Sequence, residues 1–291
     1  FGMLVRAQEV LEELPIRDVI SWNVLISGYS HQMRYHEAFN CFEQMQNEGL
    51  SGDIVTFVCI LKACGNMGVI DKVKDIHEHL VGTMLLGKDV ILGNALVDTY
   101  AKSGVLDEAQ KVHEELPFRD LISWNALISG YSDQGQGHKA IDCFKQMQVE
   151  GISPDQVTFI ALMHACSQSG LLDEAQVFFG YMTEKHGIIP DVWHQTSMVV
   201  VFGRAGHFDK VMSVICAMPS SDYVAVWLAL LGSCKQWGNM KLGRVAFDQI
   251  LKLDETCGVA YVLMANIFAS AGLLEDAKKV ESLKLEYSSS H

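Results

Sequence analysis

The phrase DVISWNVLISGYS occupies residues 18–30, and DLISWNALISGYS occupies residues 120–132. Other phrases recur at the same offset of 102 residues, such as Leu14-Pro15 with Leu116-Pro117. Each period contains shorter units that end in aspartate. Successive unit-ending aspartates are 35, 36 and 31 residues apart, and this series of spacings occurs twice. These aspartates are Asp18, Asp53, Asp89, Asp120, Asp155, Asp191 and Asp222. Periods of about 20 to 50 residues are typical of solenoid proteins, so the sequence predicts an array of repeats.

Each unit is predicted to fold as two helices. Trp22, Leu25, Ile26 and Tyr29 are spaced i, i+3, i+4 and i+7, which places them on one apolar helical face. Two such helices cannot bury both apolar faces alone, so neighbouring hairpins must stack. The predicted fold class is therefore an all-α solenoid. A serine or threonine near each helix start is the predicted N-cap, with the unit-ending aspartate as the alternative: Ser21, Thr56, Ser123 and Thr158. Glycines are predicted to end second helices in the left-handed conformation: Gly49 and Gly151.

Composition excludes several function classes. The chain is 49 % hydrophobic and 20 % charged, and it lacks any apolar run near the roughly 20 residues that cross a bilayer, so no membrane partner is predicted. None of the eight cysteines forms a C-x-x-C pair. We expect them to be buried structural thiols in a reducing compartment, without disulfides or zinc. Residues 1–18 match residues 103–120, so the sequence is expected to begin within a repeat.

The chain also lacks recognisable catalytic motifs. A zinc deaminase needs H-x-E followed by P-C-x-x-C, and no C-x-x-C occurs here, so the complete motif is absent from the sequence. Phosphate-binding glycine loops and nucleophile elbows are also absent from the sequence. We predict no catalytic residue, no metal site and no cofactor. Catalysis would require a domain downstream or a partner in trans.

A polar stripe remains after the apolar face is assigned to packing. Asn23, Ser27 and Ser30 lie on another side of the same helix. The position of Asn23 varies between units while the apolar frame barely changes, and this pattern suits a surface that recognises something different in each unit. The alternative is that these asparagines only cap or solvate the helix.

Four phrases carry a family resemblance: DVISWNVLISGYS, EAFNCFEQMQNEG, ACSQSGLLDEA and YAKSGVLDEAQKVHEELPFRD. They resemble pentatricopeptide-repeat proteins of the plant subclass that alternates P-type, L-type and S-type repeats. The resemblance implies a right-handed superhelical solenoid of helix-turn-helix repeats. It divides the chain into the end of an S-type repeat (1–18), P-type (19–53), L-type (54–89), S-type (90–120), P-type (121–155), L-type (156–191) and S-type (192–222).

The resemblance also implies binding of single-stranded RNA, one base per repeat, through the fifth and last residue of each unit. The implied base-reading pairs are Asn23 with Asp53, Val58 with Asp89, Asn94 with Asp120, Asn125 with Asp155, Ile160 with Asp191, and Thr196 with Asp222. Second-position side chains are expected to sandwich the bases: Ile20, Val55, Ile91, Ile122, Val157 and Trp193. Backbone-phosphate contacts are expected at Lys102 and Arg204.

In this family, Asn with Asp is associated with uracil and Thr with Asp with guanine. The implied RNA core is 5′-U-x-U-U-x-G, because Val58 and Ile160 have no hydrogen-bonding group and should discriminate poorly. The last S-type repeat would lie at the fourth nucleotide before an edited cytidine. The implied target is thus U-x-U-U-x-G-x-x-x-C.

The C-terminal quarter resembles the two E motifs of organelle RNA-editing factors, at residues 223–255 and 256–281, followed by a tail at 282–291. The second motif also resembles a tetratricopeptide hairpin. The resemblance implies that residues 223–281 recruit editing-complex proteins such as a DYW-type deaminase domain. It places the protein in a mitochondrion or chloroplast.

Net charge complicates this interpretation, because −13 is unfavourable for a phosphate-binding surface. The alternative function is a protein-interaction scaffold that binds a peptide or a partner protein without RNA recognition. A polar ladder of Asn, Asp and Thr favours RNA over this alternative. A peptide groove would more naturally present aromatic anchors or clusters of Arg and Lys.

Overall fold

The computed structural model describes residues 2–87, 89–218 and 222–289. Every regular element in these ranges is an α-helix, which confirms the all-α prediction. The chain forms two compact units. One comprises the residues up to Gln134 together with Lys139–Ser153, and the other comprises Gly135–His138 and the residues from Pro154 onward. None of the described helices has the length and apolar character that crossing a membrane requires.

The first unit contains α1 (Gly2–Glu13), α2 (Val19–His31), α3 (Tyr35–Asn47), α4 (Ile54–Met67), α5 (Ile70–Gly82), α6 (Val90–Lys102), α7 (Leu106–Glu115), α8 (Leu121–Asp133) and, from Lys139 onward, α9 (Gly137–Val149). The second unit contains α10 (Gln156–Ser169), α11 (Leu172–His186), α12 (Val192–Arg204), α13 (Phe208–Ala217), α14 (Val224–Trp237), α15 (Met240–Leu253), α16 (Gly258–Ser270) and α17 (Leu274–Ser289). Each predicted segment between residues 19 and 255 therefore holds one helical hairpin. The assignment of repeat types stays a prediction, and α17 continues beyond residue 281.

The helices form two layers within each unit. In the first unit α2, α4, α6 and α8 pack in succession, and in the second α10, α12, α14 and α16 do the same. We call these even-numbered helices the first-helix layer. Odd-numbered helices pack against it and form the opposite layer. Neighbouring backbones come close: a Cβ atom added to Gly130 of α8 would lie 2.7 Å from Cβ of Ala101 in α6. Small residues at such positions let the hairpins stack tightly.

The predicted apolar faces are confirmed. Trp22, Leu25, Ile26 and Tyr29 are 0–3 % exposed, and their counterparts in α4 and α8 are equally buried. Gly49 ends α3 with a φ of 79°, as predicted from the left-handed preference of glycine. Burying these side chains provides the stacking energy, because each fully buried large apolar side chain contributes about 1.5–3 kcal/mol.

The predicted serine and threonine N-caps are wrong, and the alternative, the unit-ending aspartates, is confirmed. Asp18, not Ser21, is the N-cap of α2, and its carboxylate accepts a hydrogen bond from the Ser21 amide at 2.8 Å. The Ser21 hydroxyl accepts from the Asp18 amide in return, which completes a capping box. The same correction applies to three other helices, where aspartate is the N-cap and Ser or Thr is at N3: Asp53 with Thr56, Asp120 with Ser123, and Asp155 with Thr158.

The cysteines behave mainly as small apolar side chains. Cys64 and Cys166 are completely buried, and burial raises the pKa of both thiols to about 12. Cys143 is only half-buried, and Cys216 is exposed. The buried thiols remain protonated at neutral pH and contribute packing rather than nucleophilic chemistry.

Candidate nucleic-acid interface

The structure brings two of the predicted base-reading pairs into direct contact. Nδ2 of Asn23 donates a hydrogen bond to Oδ1 of Asp53 at 2.9 Å. The Thr56 hydroxyl donates to Oδ1 of Asn23 at 2.6 Å. Asn23 is only 9 % exposed, and these two contacts fix the orientation of its amide from both ends. Thr56 is thus a positioning residue that the sequence assigned only to helix capping.

The second pair joins Asn94 to Asp120. Nδ2 of Asn94 donates to both carboxylate oxygens at 3.0 Å. Oδ1 of Asn94 is buried and has no hydrogen-bond partner in the described structure. An unsatisfied buried acceptor is unfavourable by about 1–3 kcal/mol. This carbonyl oxygen therefore keeps unused acceptor capacity beside the contact with Asp120.

Other pairs differ from these two. Val58 and Ile160 are half-buried and carry no hydrogen-bonding group. Asp89 accepts a capping bond from the Ile91 amide at 2.7 Å. Asn125 belongs to the first unit and Asp155 to the second, so their pairing stays a prediction.

The last pair has a different register from the others. Each preceding unit-ending aspartate is the N-cap of the next helix, but Tyr223 takes that place in α14, and Asp222 lies one residue upstream. The Thr196 hydroxyl donates to the carbonyl oxygen of Val192 at 2.6 Å. Pairing of Thr196 with Asp222 stays a prediction.

The six predicted base-sandwiching side chains are all exposed, at 52–72 %. Each lies two residues after the N-cap of its helix and three before the base-reading position, so the two side chains share one side of the helix. Exposed aliphatic and aromatic groups beside a buried amide suit contact with a flat, partly apolar ligand. Val24 is also 58 % exposed, next to Asn23, and the sequence did not single it out.

Two unit-ending aspartates, Asp53 and Asp191, are held in their ionised form by hydrogen bonds that lower the pKa of each carboxyl. Partial burial raises the pKa of Asp53, but hydrogen bonds from Thr56 and Asn23 outweigh this and leave that pKa below its usual value. Asp191 follows the same pattern, with bonds from the backbone and ring of His194. The ring of His194 is completely buried, and its Nδ1 lies 2.6 Å from Asp191 Oδ1. Histidine thus replaces the N3 serine or threonine in α12.

Charge is distributed unevenly between the layers. Within the eight even-numbered helices from α2 to α16, Asp98 and Asp133 are the sole carboxylates. The odd-numbered helices carry many more, for example Asp107 and Glu108 in α7. The even-numbered helices themselves are therefore close to neutral, while the aspartates that cap α2, α4, α6, α8, α10 and α12 place negative charge at their N-termini.

The two predicted phosphate contacts are engaged with protein acceptors. Lys102 Nζ lies 2.6 Å from the Asp98 carboxylate. Nη1 of Arg204 donates to the carbonyl oxygen of Ser167 at 3.0 Å and to the Gln168 side chain at 2.8 Å. Both side chains are exposed, and their phosphate contacts stay predictions.

Models of known families match much of the chain. The PPR repeat family model matches residues 17–66 and 119–168, and the PPR repeat model matches residues 94–121, 157–186 and 196–223. A chloroplastic pentatricopeptide repeat-containing protein of Arabidopsis thaliana is 36 % identical over 97 % of this chain and 38 % of its own length. The chloroplastic protein CRR2 of the same plant is also 36 % identical, over 97 % of this chain and 43 % of its own length. The chain spans between about a third and a half of the first curated relatives it matches.

Solved structures share the fold. The crystal structure of PPR10 from maize has a TM-score of 0.60 at 19 % identity, covering 96 % of this chain and 46 % of that chain. PPR10 in complex with an 18-nt psaJ RNA element has a TM-score of 0.62 at 17 % identity, covering 97 % and 48 %. The family models span more than half of the 291 residues. The chain belongs to the pentatricopeptide-repeat family.

Proposed function

We propose that this chain is a sequence-specific adaptor for single-stranded RNA that recognises one base per repeat. The Asn–Asp pairs support this proposal most directly, because Asp53 and Asp120 orient the amides of Asn23 and Asn94 beside exposed aliphatic side chains. An amide offers both a donor and an acceptor to a base edge, and the aliphatic neighbours contact the base face. The PPR10–RNA complex is a family precedent for RNA binding on this fold.

Within this proposal, the chain specifies a site for organellar C-to-U editing and catalyses no step itself. Residues 223–281 would recruit the editing partners, including a DYW-type deaminase domain. Relatives named as chloroplastic or mitochondrial support a location in one of these organelles. The P-, L- and S-type repeat assignment and the E motifs belong to the same proposal.

The proposal is tested by the affinity of single-stranded RNAs that carry U-x-U-U-x-G or one changed base. We expect replacement of the first, third, fourth or sixth base to weaken binding by about 5-fold to 100-fold, since each correct contact contributes about 1–3 kcal/mol. Changes at the second and fifth positions should have little effect, because Val58 and Ile160 offer no hydrogen bond. Mobility-shift assays with purified protein measure the affinity change at both sets of positions. Equal affinity for the parent RNA and all six singly changed RNAs would exclude base recognition.

A further inference from the structure

The first-helix layer of the second unit continues without interruption into the C-terminal hairpins. α12 packs on α14, and α14 packs on α16. The buried residues keep their register: Trp227, Leu230 and Leu231 follow the N-cap of α14 at the same spacing as Phe57, Ile60 and Leu61 follow that of α4. The surface that carries Trp193 and Thr196 in α12 therefore extends over α14 and α16.

The chemistry of this surface changes at residue 223. The N-caps of α14 and α16 are Tyr223 and Cys257, and neither side chain makes a capping hydrogen bond. The positions two and five residues after these N-caps correspond to the base-sandwiching and base-reading positions of the repeats. In α14 they hold Ala225 and Leu228, and in α16 they hold Val259 and Val262.

These four side chains provide apolar contact and no hydrogen bond. Val259 and Val262 are 60 % and 45 % exposed, and the Tyr223 ring is 47 % exposed. Val58 and Ile160 already place an aliphatic group at the base-reading position inside the array. The C-terminal helices therefore resemble repeats that contact a base without discriminating between bases.

The charge of this surface is compatible with RNA binding. α14 and α16 contain no carboxylate, and α14 carries the exposed Lys235 near its C-terminus. Residues 223–291 contain seven basic and seven acidic side chains, so they are neutral in a chain of net charge −13. Phosphate groups would meet less repulsion here than elsewhere on the protein.

We propose that α14 and α16 bind two RNA nucleotides immediately 3′ of the recognised core, through apolar contacts that do not select the base. This inference rests on the proposed function. It assigns structural contacts to two of the three unspecified nucleotides that separate the core guanine from the target cytidine. The two hairpins thus act as a spacer that holds the RNA in register.

The test compares RNAs that end at the core with RNAs extended at the 3′ end by one, two or three nucleotides. We expect each of the first two nucleotides to tighten Kd by roughly fivefold, whichever base is added, and the third to add little. The double variant Val259→Asp, Val262→Asp should lose the gain from the second nucleotide. Both side chains are exposed, so the fold should be retained, and circular dichroism checks this.

Val245→Asp is the matched control, because it adds a carboxylate at a 40 % exposed valine of α15 in the opposite layer. Val245→Asp should keep the full gain in affinity from both added nucleotides. The inference fails if extension adds no affinity, or if the control loses as much as the α16 variant. It also fails if the α16 variant binds every RNA normally but loses a protein partner, since the surface would then bind protein. Failure to bind even the core RNA would instead overturn the proposed function and this inference with it.

Discussion

Replacing Trp124 by alanine is expected to lower the free energy of unfolding by about 3–5 kcal/mol. Trp124 is 3 % exposed, its ring packs edge-on against His113 at 4.3 Å between centroids, and its Nε1 donates to Glu150 at 3.3 Å. The substitution removes an indole from the seam between two hairpins and leaves a cavity that the stacked helices cannot close. Urea denaturation of the purified protein measures the change.

Trp193→Ala is the control for this experiment. Trp193 is 62 % exposed at the second position of α12, so its removal should change stability by no more than about 0.5 kcal/mol. Because it is a proposed base-sandwiching residue, the same variant should weaken RNA binding. A loss of less than 1 kcal/mol for Trp124→Ala would contradict the assignment of this tryptophan to the packed seam.

Lowering the pH from 7 to 4 is expected to destabilise the protein through His113, by about 3 kcal/mol. Burial first and the nearby Arg119 charge second lower the pKa of His113 from 6.5 to about 4. Both folded and unfolded chains hold this ring neutral above pH 6.5. As the pH falls below 6.5, His113 of the unfolded chain binds a proton that the folded chain does not bind. The free energy of unfolding therefore decreases until about pH 4.

His113→Leu should remove this contribution. Leucine is the residue at the equivalent position of the first copy, Leu11, which is buried in the same way. The variant should also remove an unfavourable buried polar atom, because Nε2 of His113 has no hydrogen-bond partner in the described structure. The difference in unfolding free energy between variant and wild type should grow by about 3 kcal/mol between pH 7 and pH 4. His36→Gln, at an exposed histidine of α3, is the control, and a parallel pH dependence for wild type and His113→Leu would refute the prediction.

Periodicity accounts for the part of the fold that the sequence predicts well. The spacing of Trp22, Leu25, Ile26 and Tyr29 defines a face that only stacking can bury, so helix positions and packing residues follow from it. The repeat of 102 residues extends the same inference to α8. The side chains at the second position of each first helix are exposed because they lie outside that face.

Details that depend on backbone geometry or on contacts between hairpins were not predictable in the same way. Serine and aspartate both favour N-caps, and only the backbone geometry shows that Asp53 is the cap while Thr56 lies three residues inside the helix. The hydrogen bond from Thr56 to Asn23 joins residues 33 positions apart, and no local pattern encodes it. The one-residue shift at Tyr223 was equally hidden, because Asp222 completes the aspartate series in the sequence.

The variant Asn94→Thr tests the central claim most directly, because it alters one base-reading side chain and keeps Asp120. The measurement is the ratio of Kd values for RNAs that carry uracil or guanine at the third core position. We expect wild type to prefer uracil and the variant to prefer guanine, with the ratio changing by at least about tenfold. An unchanged ratio in a variant that unfolds at the same urea concentration as wild type would contradict one-base-per-repeat recognition.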